Sequence, residues 1–278
     1  MDLSVIIVSW ETKEKLRHNL KALFLSEGDF KFEVFVVDNN SSDKSADMVA
    51  REFPQVKLIR NEKNEGFARA NNRAIKEAGG RFILLLNPDM KVFPDTLYKA
   101  LFWAEKNPQA VVSGFRLLAE DGKLVAQVRK FPKLFDQLMI ILKVPHFFPA
   151  VLNSYLQKDF DYDKAQAVES VRGSFFLINV KSWRNLSGQE KPYLDERYFV
   201  WFEEVDFCRY VKSIGGEVWY SPAAVALDYV GQSFSLLKRR KAQDYFKDSM
   251  LKYFQKWEKP SQVFILRSAW KLVRIFIR

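Results

Sequence analysis

Cysteine is almost absent. The single Cys208 excludes a disulfide framework and a cysteine-ligated zinc or iron–sulfur site. Histidine is nearly as scarce: His18 and His146 are the only two, too few for a multi-histidine metal site. Both stand far in sequence from the acidic clusters described below, so a Ser-His-Asp triad has few candidates. With only 11 glycines and 10 prolines in 278 residues that are 48% hydrophobic, a collagen-like repeat, a low-complexity tract and a disordered chain are excluded. No charge-free run approaches the ~18 residues of a membrane span. The longest, Val144–Gln157, contains Pro145, His146, Pro149 and Asn153. Asp2 stands where a signal peptide would carry basic residues, so the expectation is a cytoplasmic chain.

What is present is unevenly distributed charge. Of the formal +10, the last stretch, 236–278, carries +9, with twelve basic residues against Asp244, Asp248 and Glu258. The body is therefore nearly neutral and the C-terminal segment strongly basic, an asymmetry that points to an anionic surface as partner.

The first 115 residues alternate between buried-strand and helical periodicity. Apolar runs at Leu3–Val8, Glu33–Val37, Val56–Arg60, Arg81–Leu86 and Ala110–Phe115 predict strands. Between them, Thr12–Leu25, Ser45–Phe53, Phe67–Ala78 and Pro94–Lys106 carry helical spacing. This alternation predicts an α/β fold with a mostly parallel sheet covered on both faces. Ligands of such sheets sit at the carboxyl ends of the strands, which singles out Ser9, Glu11, Asp38, Asn87 and Asp89. Beyond Phe115 the expectation is a strand near Leu124–Val128 and an aromatic insertion over 131–157. A strand-like run over Ser170–Val180, a helix start within 194–213 and short strands at Glu217–Ser221 and Ala224–Leu227 follow. The chain closes with a helix over 242–258.

Three clusters bear chemistry. Asp38 ends a strand, where a carboxylate can accept the N3–H of a pyrimidine; as a mere turn or cap residue it would duplicate Ser42 or Asp43. Asp89, in Leu86-Asn87-Pro88-Asp89, is placed to hold a hard divalent cation shared with substrate phosphates, or else belongs to a Pro-containing turn. In Trp201-Phe202-Glu203-Glu204-Val205-Asp206-Phe207, three acids lie among aromatics. On a helix Glu203 and Asp206 share a face while Glu204 points elsewhere. Carboxylates amid aromatics suit a desolvated cleft where a general base works; the structural alternative is acids favouring a helix N-terminus.

Together, six segments in order resemble the glycosyltransferase family 2 enzymes of GT-A fold, in their rhamnosyltransferase-like branch. They are Ser4–Trp10, Val36–Asp43, Asn64–Asn72, Leu85–Asp89, Val171–Phe176 and Leu194–Asp206. The resemblance implies an inverting transfer of a sugar, rhamnose from dTDP-rhamnose first among the donors, from a dTDP- or UDP-sugar to a hydroxyl of a glycan or lipid-linked acceptor. It implies that Asp38 reads the base and that Ser9, Glu11, Gly66, Asn72, Asn87 and Gly173 border the nucleotide sugar. Glu204, or its neighbour Glu203, becomes the base, with Trp201 and Asp206 on the acceptor side. Asp89 becomes a ligand of Mg²⁺ or Mn²⁺. Two positions depart from the family pattern: Asn87 replaces the first acid of the metal motif, and Asp228 stands where the family often has a histidine ligand.

The expected organisation is a GT-A domain over 1–235, with a nucleotide half (1–115) and an acceptor half (116–235), followed by the basic tail 236–278. In 262–278 the cations Arg267, Lys271, Arg274 and Arg278 recur every three or four residues, as in a helix lying in an anionic membrane interface. Packing on the body or on a homodimer partner is the other option. The membrane option implies peripheral association with the inner face of the cell membrane. Two rival functions are weaker. A nucleic-acid binder lacks a recognised motif, and the tail is too apolar for a solvated arm. A nicotinamide-dependent oxidoreductase lacks the glycine fingerprint, Ser9-Trp10-Glu11-Thr12 standing in its place. A non-catalytic member of the same fold is the third alternative, kept open by Asn87, Glu204 and Asp228.

Overall fold

A computed structural model of the chain describes residues 1–229 and 239–276. Its centre is a nine-stranded sheet. Along it run β3 (Lys57–Arg60), β2 (Phe32–Asp38), β1 (Leu3–Ser9), β4 (Phe82–Leu86), β10 (Phe175–Asn179), β6 (Ala110–Leu118), β11 (Glu217–Asp228) and β5 (Met90–Val92), with β8 (Gln166–Val168) paired to β11. Only β10, β5 and β8 run against the others, so the sheet is mostly parallel, as expected.

The strands are apolar on both faces because both faces are covered. Leu3, Val5 and Ile7 of β1 point into one layer with α1 (Lys13–Leu23), α2 (Ser45–Glu52) and α4 (Thr96–Lys106). Ile6 and Val8 point into the other, with α3 (Phe67–Glu77), α6 (Val180–Ser187) and α7 (Glu203–Ser213). The two-residue side-chain period of a strand divides one continuous apolar run between two cores.

The second half departs from the expected elements. Ser170–Val180 is not one strand. Ser170–Val171 form β9, paired with β7 (Val128–Arg129); the chain then turns through Gly173, runs as β10 and enters α6 under the Asn179 cap, whose Oδ1 accepts from Ser182 N at 3.1 Å. β10 inserts between β4 and β6, so the two expected halves interleave in one sheet. The strands expected at 217–221 and 224–227 are a single β11, with a register shift between Ser221 and Val225 around Pro222. Near Leu124 the structure has only an isolated bridge to Leu118. The aromatic insertion contains α5 (Leu134–Ile141) and two 3₁₀ turns, Val144–His146 and Pro149–Leu152.

The basic segment joins the body. α8 (Arg239–Trp257) and α9 (Pro260–Phe276) bury Met250, Tyr253, Phe254, Val263, Leu266 and Ala269 in a third core with Ile141, Tyr198 and Phe202. One face of α9 thus packs on the protein, while Phe264, Arg267 and Lys271 stay exposed. Residues 230–238 and Arg278, which carry part of the expected motif and stripe, lie outside the described residues.

Asp206 fastens α8 to the body. Its carboxylate accepts from Trp257 Nε1 (2.6 Å) and Tyr198 Oη (3.2 Å) and pairs with Lys256 Nζ (2.6 Å). Removing a buried carboxylate that unites three donors takes this acceptor from Trp257 and Tyr198 and leaves Lys256 with Asp195 alone. Asp206→Ala is expected to cost about 3 kcal/mol of stability, read as a lowered midpoint in urea denaturation.

Candidate active site

β1, β2 and β4 end side by side: Ser9 is in register with Asp38, and β1 pairs with β4 on its other edge. The loops leaving these ends are tied together. Glu11, in the left-handed region (φ 54°), accepts from Ser42 N (2.7 Å) and Ser42 Oγ (3.1 Å), while Glu11 N donates to Ser41 Oγ. Asp43 accepts from Lys13 N and Ser45 N, each at 2.9 Å, and so serves the starts of both α1 and α2. Asp38 is therefore not needed as a cap. Its Oδ2 accepts from Ser41 N (3.0 Å), and its Oδ1 is buried without a protein hydrogen-bond partner. Ser9 Oγ pairs with Thr12 Oγ1 at 2.9 Å.

Beside these loops lies a cavity of about 270 Å³, whose wall includes Trp10, Asn39, Asn64, Gly66, Asn87 and Tyr245. Amides and aromatic faces are the groups that hydrogen-bond and stack a planar base. Gly66 begins α3 with φ 84°, and a Cβ there would lie 2.3 Å from Phe199 O, so this wall requires glycine. The Asn87-Pro88-Asp89 turn is fixed from below by Asn19 of α1, which donates to Asn87 O and Met90 O at 2.9 Å each.

Asp89 and Asp228 are neighbours. Asp228 is in register with Met90, Tyr229 N donates to Asp89 O (3.2 Å), and both side chains are buried. Burial, with the Asp89 charge adding to it, pushes the Asp228 carboxyl above its usual range; Arg172, 3.8 Å away, opposes this. Among the described residues no group of three or more His, Cys, Asp or Glu gathers. A hard cation that keeps waters and shares substrate phosphates needs only one or two carboxylates, so this all-oxygen pair fits Mg²⁺ or Mn²⁺.

A second cavity, of about 310 Å³, adjoins the first; Phe67, Asn87 and Val200 belong to both walls. It contains Glu203, Glu204, Gly173, Trp201, Arg129 and Arg172. The two glutamates open α7 directly after two left-handed residues, Trp201 (φ 65°) and Phe202 (φ 70°). Each such residue costs about 1–3 kcal/mol and persists only where its surroundings hold it. Here Phe202 packs on Phe246 and Tyr253, Phe199 O accepts from Phe67 N (2.7 Å), and Val200 O accepts from Ser249 Oγ (2.8 Å).

Burial raises the Glu203 carboxyl well above its usual range, and the adjacent Glu204 raises it further. Glu204 is raised by burial against the lowering influence of Arg129 and Arg172. Glu203 is fully enclosed and Glu204 half-buried, and an Oε2 of each is buried without a protein hydrogen-bond partner. Glu204 is thus the more accessible of two carboxyls tuned toward proton transfer.

Of the residues singled out from the sequence, Gly66, Asn87, Gly173, Trp201, Glu203 and Glu204 line these two cavities; Ser9, Glu11, Asp38, Asp89 and Asp228 stand at the strand ends and loops without lining either, and Asn72 and Asp206 are used elsewhere. The Asn72 amide is used on Leu194 O (2.7 Å), Leu194 N (2.9 Å) and Glu196, holding the 194–196 segment against α3. Asp206 turns to α8 instead of toward an acceptor. Sequence reasoning missed Arg129, Arg172, Lys241 and Tyr245. Arg172 stood beside Gly173 in a segment already singled out; an isolated arginine such as Arg129 carries no pattern.

The glutamates make a stability prediction. A carboxyl whose folded pKa is raised costs nothing at pH below its unfolded value near 4.5 and progressively more as pH rises from there toward the folded value. Glu203→Gln is therefore expected to raise Tm by a few degrees at neutral pH and to leave it unchanged near pH 4. Parallel melting curves at both values test this.

Comparison with known proteins places the chain among sugar-transferring enzymes. The profile of Glycosyl transferase family 2 matches residues 4–182. An N-acetylglucosaminyl-diphospho-decaprenol L-rhamnosyltransferase of Mycobacterium tuberculosis is 25% identical over 244 residues, covering 83% of this chain and 77% of the relative. The rhamnosyltransferase WbbL of Escherichia coli is 27% identical over 173 residues, covering 59% of this chain and 61% of WbbL. The mannosyltransferase PcManGT of Pyrobaculum calidifontis, solved with GDP-Man and Mn²⁺, superposes with a TM-score of 0.58 at 16% identity. That match spans 97% of this chain and 69% of PcManGT, and it identifies the fold as GT-A.

Proposed function

Because the chain belongs to glycosyl transferase family 2 and is a glycosyltransferase, we propose that it transfers rhamnose from dTDP-rhamnose to a hydroxyl of a lipid-linked cell-envelope glycan, with inversion. The observation that carries this reading is the junction of the two cavities. One is bordered by the ends of β1, β2 and β4, the other holds the paired glutamates, and Asn87 stands in both walls. The donor sugar follows the names of the relatives from M. tuberculosis and E. coli, and the lipid-linked acceptor follows the name of the M. tuberculosis relative. UDP is the other nucleotide the base site would take.

The base lies in the first cavity, near Asp38, Asn39 and Asn64, with its sugar directed past Asn87 and Gly173 toward Glu204. The acceptor enters the second cavity beside Trp201. Its hydroxyl oxygen forms a bond to the anomeric carbon as the bond from that carbon to the diphosphate breaks. Glu204 takes the hydroxyl proton, and attack opposite the leaving group inverts the centre. Arg129 and Arg172 keep Glu204 ionised more readily than burial alone would allow. Asp89 and Asp228 would hold Mg²⁺ or Mn²⁺, which when bound offsets charge on the leaving diphosphate. The reading implies that the enzyme works peripherally at the inner face of the membrane that holds its acceptor.

Glu204→Gln is expected to lower transfer by roughly 10³-fold while calorimetry shows nucleotide binding nearly unchanged; retained turnover would move the base to another residue. Asp89→Ala is expected to abolish the Mn²⁺-dependent part of donor binding, and unchanged affinity with Mn²⁺ would count against its role. Thermal shifts with dTDP, UDP and GDP rank the nucleotides.

A further inference from the structure

The described residues contain fourteen exposed large hydrophobic side chains, and half of them fall in two short stretches: Phe135, Leu142, Phe147 and Phe148 in the insertion, and Phe264, Ile265 and Leu272 on α9. Phe147 (80%), Phe264 (71%) and Phe148 (69%) are the most exposed aromatics described. The two stretches are distant in sequence but adjacent in the fold. α5 packs against α9, the 3₁₀ turns pack against α5, and Leu134, Leu138 and Ile141 fill the third core alongside Val263 and Leu266. The helices bury one side and present aromatics and cations on the other.

We propose that this composite face, formed by the 134–152 segment and α9 together, docks on an anionic lipid surface; the proposal rests on the reading of the acceptor as lipid-linked. Charge selects the occupant. Residues 131–157 and 260–276 contain a single acid, Asp136, and its carboxylate accepts from Lys133 N at the start of α5. Lys143 and Lys271 have no acid near them in sequence on these segments; Arg267 borders a hollow with Glu258, just past the end of α8, whose carboxylate pairs with Arg209 at 2.8 Å. A second copy of the chain would bring the same cations face to face, whereas anionic headgroups satisfy them while the phenylalanines enter the acyl boundary. No helix among the described residues is long and apolar enough to cross a membrane, so the contact is interfacial. The face is also continuous with the chemistry: Tyr155, from the same insertion, lines the cavity that holds Glu204. Docking would therefore bring the acceptor cavity close to the layer where a lipid-borne hydroxyl is presented. The sequence offers the basic stripe of 262–278 and, as a second contact, the aromatic insertion 131–157; the fold brings the two together.

Flotation of the full chain with phosphatidylcholine vesicles, with and without phosphatidylglycerol, tests this. Binding is expected only with the anionic lipid. The double variant Phe147→Ser/Phe148→Ser, and separately Arg267→Glu/Lys271→Glu, should each weaken it by roughly tenfold or more, with melting curves unchanged because these side chains are exposed. Binding that survives the phenylalanine variant would overturn the composite face. So would a dimer in sedimentation velocity that the same variant dissociates, since a second copy would then be the occupant. Flotation requires no sugar donor: vesicle binding without transfer leaves docking standing and removes the catalytic reading, and transfer to a soluble acceptor by a chain that never floats does the reverse.

Discussion

The site depends on a backbone held where side chains other than glycine rarely go. Trp201 and Phe202 both adopt left-handed geometry directly before Glu203, and this abrupt entry aims the first turn of α7, with its two carboxyls, into a cavity instead of along the protein surface. Nothing local favours two bulky aromatics in that conformation. The support comes from α8, through Tyr253, Phe246 and Ser249, and from α3, through Phe67 N. The C-terminal helices are thus part of the framework that sets the site, and the Asp206 clamp is what holds α8 in place.

The same framework creates an electrostatic conflict. A helix N-terminus favours negative charge, yet burial prevails and keeps both glutamates harder to ionise than free carboxyls. Arg129 and Arg172 relieve the conflict for Glu204, whereas Glu203, eased only by backbone amides, is raised further by the charges of Glu204 and Asp206. Two identical side chains one residue apart therefore acquire different proton affinities from their surroundings. A comparable conflict surrounds Asp89 and Asp228, where two carboxylates approach with Arg172 as a nearby cation.

Much of this was legible in the sequence because the first half of the sheet is parallel and fully covered. Continuous apolar runs ending in polar residues marked β1, β2 and β4, and with them Asp38, Asn87 and Asp89. The second half was harder to read. β5, β8, β7 and β9 have two or three residues each, too few to show a period, and β10 and α6 follow one another with only Asn179 to mark the change. Asp206 shows the limit for single residues. Its position among acids and aromatics suggested a role toward ligand, but its partners, Trp257 and Lys256, come from fifty residues away. The tail posed the same problem: its amphipathic pattern was evident, whereas its burial against an insertion more than a hundred residues earlier was not.

The position of β10 has a consequence for biogenesis. Its residues, Phe175–Asn179, separate β4 from β6 in the finished sheet, although β6 is translated some sixty residues sooner. A nascent polypeptide emerging from the ribosome with only its N-terminal third cannot close the sheet. It must expose the edge of β4, a run of five buried apolar residues, until the later strand arrives to occupy it. Unpaired apolar edges of that kind recruit other chains, so synthesis of this protein carries an interval of vulnerability that chaperone supply would govern.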